Sequence, residues 1–210
     1  MAHLNRLSVE MERPKTCRHC LLFLALLLSL LAASCQGDDK PPLPRYVSSY
    51  QSSSGQPVVA LQRAERRYFI EFRSRYALTY GHSYVVFGQL GTNGQMIAPE
   101  VAGLAPATNN PFPYVVGHFI PVPAETGESD GDLEEQYRSA SWRVMLTHDE
   151  YDRVVTHIRA LKTKSRVWLA SVSNCNAFVA DIARSMGYRA PSIYLRPQQF
   201  ITRLRELNGG

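Results

Sequence analysis

Cysteine is scarce in this chain beyond its N-terminal segment. Of four cysteines, Cys17, Cys20 and Cys35 fall within the first 35 residues, leaving Cys175 alone in the remainder. A lone thiol cannot close an internal disulfide, and it excludes a metal site built on paired cysteines. Charge of one sign is also in short supply. The net charge is +5, and Arg6, Arg13, Lys15 and Arg18 outnumber Glu10 and Glu12 before residue 35. No basic stripe interleaved with aromatics follows, so a nucleic-acid partner is not expected. Internal repeats are absent, which excludes a repeat array. The one long apolar run, Leu21 to Leu31 (LLFLALLLSLL), has 11 residues. A spanning helix needs roughly 20.

What is there begins with that run. Arg13, Lys15 and Arg18 precede it, and Ala32, Ala33 and Ser34 follow it. This is the three-part pattern of a secretory signal; a membrane-spanning anchor is the alternative that its length disfavours. Met1 and Met11 are both compatible starts. Leu31-Ala32-Ala33-Ser34-Cys35 resembles a bacterial lipobox, departing from it in Ala32, where Leu is commoner. The resemblance implies that cleavage leaves Cys35 first, with lipid on its sulfur and amine. The partner would then be a membrane, and the location the bacterial cell envelope, facing the periplasm or the exterior. Ordinary cleavage, releasing a soluble protein, is the alternative. Residues 1–35 therefore read as a signal peptide with a lipobox. Residues 36–57 (QGDDKPPLPRYVSSYQSSSGQP) are rich in Pro, Ser, Gly and Gln and read as a flexible tether.

Residues 58–210 read as a single folded domain. Hydrophobic residues at 45% and charged residues at 20% suit a chain that buries a core. Runs rich in Val, Ile, Phe and Tyr predict strands over 67–73, 83–90, 96–104, 114–122 and 142–146, with turn signals such as Gly91-Thr92-Asn93-Gly94 between them. Short connections favour antiparallel pairing. Helices follow. Thr147 with Glu150 forms a capping box, and Tyr151, Val154, Val155, Ile158 and Leu161 recur at helical spacing. A second helix begins near Asn174, with Phe178, Val179, Ile182, Ala183 and Met186 as its apolar stripe and Gly187 as its stop. A third starts at Pro197 and turns Phe200, Ile201, Leu204 and Leu207 inward. Strands first and helices late predict an α+β domain with an antiparallel sheet and packed helices. Between them, Glu125–Glu135 (ETGESDGDLEE) carries six carboxylates. It lacks the ligand spacing and closing Glu of a calcium loop and reads as a solvated loop running into a short helix.

The chemistry gathers at Cys175. With Asn174 or Ser173 as N-cap, the cysteine occupies a first helical turn, where free N–H groups and the helix dipole favour a thiolate. The same N–H groups can accept an oxyanion. The alternative is a small buried apolar residue. Against it stands the start of the apolar stripe at Phe178, just past the cysteine. A nucleophilic cysteine needs a base. His148 and His157 read as solvent-facing. His82, after Gly81 at the mouth of a core strand, is the candidate base. His118, after Gly117, is either a third member that orients His82 or an ordinary strand histidine. Asn174 and Asn176 are candidate supports, and Asn176, Tyr84 or Tyr80 could assist the Cys175 N–H at the oxyanion. No cofactor and no metal are expected.

His82 on an early strand, with Asn174-Cys175-Asn176-x-Phe178 opening a later helix, resembles the circularly permuted papain-fold thiol hydrolases. The closest local likeness is to the PPPDE, or deSUMOylating-isopeptidase-like, group, whose cysteine lies in an Asn-Cys-Asn-Asn-Phe context; here Ala177 replaces the second Asn of that pair. Ala190-Pro191-Ser192-Ile193-Tyr194 also looks like theirs. Permuted NlpC-type and lecithin-retinol-acyltransferase-like enzymes share the order, often with a third polar residue on the next strand, most nearly His118 here. The resemblance covers roughly residues 68 to 195 and rests on two short motifs. His82 and Cys175 stand 93 residues apart, long for the group, with the extra length around the acidic loop. The resemblance implies a His–Cys dyad acting on an amide or ester, and the substrate classes within reach of a tethered domain are peptide, cell-wall or lipid-derived. A non-catalytic envelope lipoprotein that uses the fold for binding or assembly is the alternative. A monomer is expected.

Overall fold

The structure is a computed structural model and describes residues 67–77, 80–108 and 110–210. The signal peptide, Cys35, the tether of residues 36–57 and the first residues of the expected domain lie outside the described residues. Among the described residues, no helix is long and apolar enough to cross a membrane.

Among the described residues the fold is α+β, with antiparallel sheets and four helices. The main sheet has the order β3-β2-β1-β6, built from β1 (Tyr68–Arg75), β2 (His82–Leu90), β3 (Met96–Gly103) and β6 (Arg138–Leu146). Every pairing in it is antiparallel, with Arg75 opposite His82 and Tyr84 opposite Gly103. Alternation along the strands gives the sheet two different faces. Ile70, Phe72, Val85, Phe87 and Trp142 face three helices and form the main core with them. These helices are α2 (His148–Lys164), α3 (Cys175–Ser185) and α4 (Pro197–Leu207). Phe178, Val179 and Ile182 of α3 and Phe200, Ile201 and Leu204 of α4 are fully or almost fully buried there. The capping box of α2 forms as its sequence predicts: Thr147 accepts from the Glu150 N–H, and the Glu150 carboxylate accepts from the Thr147 N–H at 2.8 Å.

The opposite face mixes apolar and charged groups. Phe69, Tyr84, Val86 and Val101 form a second, smaller core. Beside it Glu71 and Arg73 are almost wholly buried. Glu71 accepts from Arg73 at 3.0 Å, Arg138 at 3.1 Å and Arg143 at 2.6 Å, and Arg73 also reaches Glu135 at 3.0 Å. The acidic loop runs against this face. Glu125, Glu128, Asp130, Glu134 and Glu135 are exposed, as a solvated loop requires, and Asp132 alone departs from that reading. Asp132 is 1% exposed, because Arg75 donates to its carboxylate at 2.6 Å and the Ser129 N–H at 2.8 Å. A short 3-10 turn (Glu135–Tyr137) then leads into β6.

The predicted strand over residues 114–122 does not form. Pro111-Phe112-Pro113 instead opens a short helix, α1 (Phe112–Val116), with a proline at its start. Gly117 ends it, lying so close to the Trp168 ring that a Cβ would stand 2.5 Å from it. Only after a turn does β5 (Val122–Glu125) begin, between β4 (Ala105–Pro106) and β7 (Val167–Trp168) in a small second sheet.

Candidate active site

Two local devices bring a histidine and a cysteine to one end of the main sheet. The first is the entry to β2. Gly81 has φ +96°, and its N–H donates to the Ala77 carbonyl at 2.8 Å. Left-handed backbone favours glycine, and here a Cβ would also lie 3.0 Å from the Arg75 carbonyl oxygen. His82 follows as the first residue of β2 and is 8% exposed. The second device is the start of α3. Asn174 is its N-cap, accepting from the Ala177 N–H at 2.9 Å, and Cys175 is its first residue. Capping satisfies Ala177, while the Cys175 and Asn176 N–H groups at the head of the helix have no intrahelical acceptor.

Asn176 locks the two devices together. Its Oδ1 accepts from the Ser83 hydroxyl at 2.8 Å, and its Nδ2 donates to the Leu195 carbonyl at 2.7 Å and the Ile193 carbonyl at 3.1 Å. Asn174 Nδ2 adds bonds to the Ala170 carbonyl at 2.8 Å and the Ile193 carbonyl at 3.3 Å. The strand of His82, the helix of Cys175 and the segment before α4 are thus held by two buried amides.

Cys175 is 6% exposed. Burial opposes its ionisation, but the nearby His82 imidazole, and to a lesser degree Ser83, outweigh it and bring the thiol below its ordinary pKa. A buried cysteine that served only as a small apolar residue would be pushed the other way. Tyr80 feels the same centre: partial burial raises its pKa, a nearby Cys175 charge raises it further, and Arg196 opposes both.

The predicted site residues fall in different places. His82 and Cys175 meet. Asn174 and Asn176 frame them, but both Nδ2 protons of Asn176 are committed to carbonyls, so its side chain is a staple rather than an oxyanion donor. Tyr84 is fully buried, its hydroxyl donates to the Asp132 carbonyl at 2.6 Å, and burial raises its pKa. That commitment removes it as an oxyanion donor too. Tyr80, 51% exposed, is the tyrosine on the thiol side, with its hydroxyl 3.3 Å from the Leu195 carbonyl. His118 does not sit on a strand. It lies exposed in the turn after α1, with Nδ1 2.8 Å from the Tyr114 carbonyl and its ring against Trp168. These contacts point it away from a role as third member. His148 and His157 pair with Asp152 and Asp181 at the surface.

Three contributors escaped the sequence reading. Gly103 on β3 leaves room for the imidazole: a Cβ there would stand 2.8 Å from His82 Nε2. Ser83 supports the thiolate from its backbone, its hydroxyl proton being given to Asn176. Asp132, in the acidic loop, anchors β2 through Tyr84 and β1 through Arg75. A glycine after a β-run was the only visible signal among the three.

Tyr114 of α1 lies within electrostatic reach of the thiol, and the chain around it is uncharged: no Asp, Glu, Lys or Arg occurs from Val101 to Ala124. Phe112, Val115, Phe119 and Ile120 there are between 57% and 83% exposed. The Gly117 carbonyl accepts from the Ala170 N–H at 2.9 Å, in the loop that leads to Cys175. A depression of about 380 Å³ between α2 and the end of α3, lined by Glu150, Arg153, His157 and Met186, includes neither His82 nor Cys175. No family model, curated protein or solved structure matches the chain.

Proposed function

We propose that the chain is a cysteine hydrolase or acyltransferase of the permuted papain type, acting on an amide or ester through His82 and Cys175. What carries this is placement: His82 opens β2 and Cys175 opens α3, and the imidazole lies near enough to favour the thiolate and lower the thiol pKa although the site is buried. A base-bearing central strand that precedes a nucleophile-bearing helix in the chain supports the permuted order.

In the proposed reaction His82 takes the proton from Cys175, and the thiolate sulfur attacks the carbonyl carbon. The developing oxyanion is met by the N–H groups that open α3. As the tetrahedral species collapses, the bond to the amine or alcohol breaks and His82 returns the proton to the leaving group. An acyl-enzyme remains. Water or another acceptor, deprotonated by His82, then attacks it and restores the thiol. The exposed apolar side chains of α1 and its following turn favour a substrate with an apolar portion. Anchoring through lipid on Cys35 completes the proposal and keeps the site near the surface of the bacterial envelope. The second reading, an envelope lipoprotein that binds without catalysis, draws on the burial of Cys175.

Thiol reactivity separates the two. Cys175 in the native protein should alkylate with iodoacetamide at near-neutral pH, and His82→Ala should slow it. An inert thiol in the folded protein leaves the binding reading. A panel of p-nitrophenyl esters of increasing chain length then tests the preference for an apolar acyl group. For the anchor, mass spectrometry should find a diacylated or triacylated N-terminal Cys35, absent in Cys35→Ser.

A further inference from the structure

We infer that Tyr84 and Asp132 are positioning residues for His82: the acidic loop holds the Tyr84 ring, and the ring holds the imidazole. This role rests on the dyad proposed above. His82 and Tyr84 lie two positions apart on β2, so their side chains leave the same face of the sheet. Their rings stack, with centroids 5.6 Å apart and planes 13° from parallel. On the side of β3, Gly103 offers no side chain that could hold the imidazole. Tyr84 is therefore the one bulky group stacked on it along this strand.

Tyr84 is itself fixed from outside the sheet. Its hydroxyl donates to the Asp132 backbone carbonyl at 2.6 Å. The Asp132 side chain, 0% exposed, binds Arg75, and Arg75 is the residue directly across from His82 in the strand register. The Ser129 N–H and hydroxyl close the loop on the other carboxylate oxygen at 2.8 and 3.0 Å. One residue of the acidic loop thus grips both strand neighbours of the proposed base, by its carbonyl and by its carboxylate. A tyrosine that merely filled space would need neither bond. Of the six carboxylates in the loop, that of Asp132 alone is buried.

The pH dependence of Cys175 alkylation tests this, because it reads the thiolate and not only the fold. The titratable and charged groups coupled to the thiol are His82 of β2, Tyr80 before it, Tyr114 of α1 and, through Tyr80, Arg196. Tyr84→Leu should raise the alkylation midpoint by about half a pH unit, a roughly threefold loss of rate below the midpoint. Tyr84→Phe, which keeps the stacked ring but loses its bond to the Asp132 carbonyl, should fall between wild type and Tyr84→Leu. Should Tyr84→Leu fail to fold, Asp132→Asn carries the test, since it keeps the size of the side chain and the backbone carbonyl. The sign discriminates there. Loss of a nearby negative charge acting directly would lower the thiol midpoint; loss of positioning raises it. An upward shift in folded Asp132→Asn supports the role. An unmoved or lowered midpoint in that variant overturns it, and the dyad still stands if His82→Ala raises the midpoint. A wild-type midpoint at the ordinary thiol value, unaltered by His82→Ala, overturns both.

Discussion

Gly103 stands against the His82 imidazole: a Cβ built on it would lie 2.8 Å from Nε2 and 3.1 Å from the Tyr84 Cβ. Tyr84 and Gly103 are paired across β2 and β3, so the glycine cannot drift away from the ring. Gly103→Ala should fold, yet turn the imidazole away from Cys175. The alkylation midpoint of the thiol should rise toward that of His82→Ala, with about a tenfold loss of rate below the midpoint for each pH unit gained. Rates of iodoacetamide reaction across a pH series measure this. An unshifted profile in the folded variant would show that the imidazole has another resting place.

Asn176 should matter for stability before it matters for chemistry. Its amide joins Ser83, Ile193 and Leu195 while 1% exposed. Asn176→Ala leaves the Ser83 hydroxyl without this partner, whereas Ile193 keeps Asn174 and Leu195 keeps Tyr80. The expected loss is about 1–3 kcal/mol, read from urea unfolding. Asn176→Asp should cost more, because it turns a buried carboxylate toward two carbonyl oxygens.

The Glu71 cluster predicts acid sensitivity. Burial alone would raise the Glu71 pKa, but Arg73 and Arg143 overcome it and hold the carboxyl below its ordinary value. As the folded pKa is the lower one, the unfolded chain takes up the proton first on acidification. Stability from this group is therefore full above the ordinary carboxylate range and is lost as pH falls through the depressed value. Glu71→Gln, which takes the buried carboxylate from Arg73, Arg138 and Arg143 and leaves Arg73 its ion pair with Glu135, should cost about 3 kcal/mol at neutral pH and flatten the acid limb of the stability curve. Urea midpoints collected from neutral pH downward check both effects.

The cap of α2 sets a smaller, cleaner expectation. Thr147 accepts the Glu150 N–H at 3.3 Å, and its own N–H reaches the Glu150 carboxylate. Thr147→Ala should lower stability by about 1 kcal/mol and leave Cys175 alkylation unchanged. A loss of several kcal/mol would mean that the threonine holds more than its helix.

Local chemistry was legible in the residues themselves. The capping box of α2, the N-cap at Asn174, the proline that opens α4 and the left-handed Gly187 depend on neighbours within a few positions, and each lies where its own sequence puts it. Period-two and helical spacing likewise marked β1, β2, β3, β6 and the three packed helices, because burial on one face repeats with the backbone's own geometry. The segment over residues 114–122 shows the limit. Its Val, Phe and Ile content is that of a strand, yet two prolines and the contact of Gly117 with Trp168, some fifty positions later, make it helix and turn. His118 moved with it. The acidic loop shows the same limit from the other side: six carboxylates favour water, and only the arrival of Arg75 and Tyr84 across the sheet makes burial of Asp132 favourable. By itself the sequence determined the α+β class, the helix ends and which thiol and imidazole to watch, since these follow from short-range periodicity, capping and residue chemistry. Only the tertiary structure decided that Asn176 is a staple, that Tyr84 faces Asp132, and that Gly103 makes room for His82, since each depends on a partner from a distant strand or loop whose distance no spacing encodes.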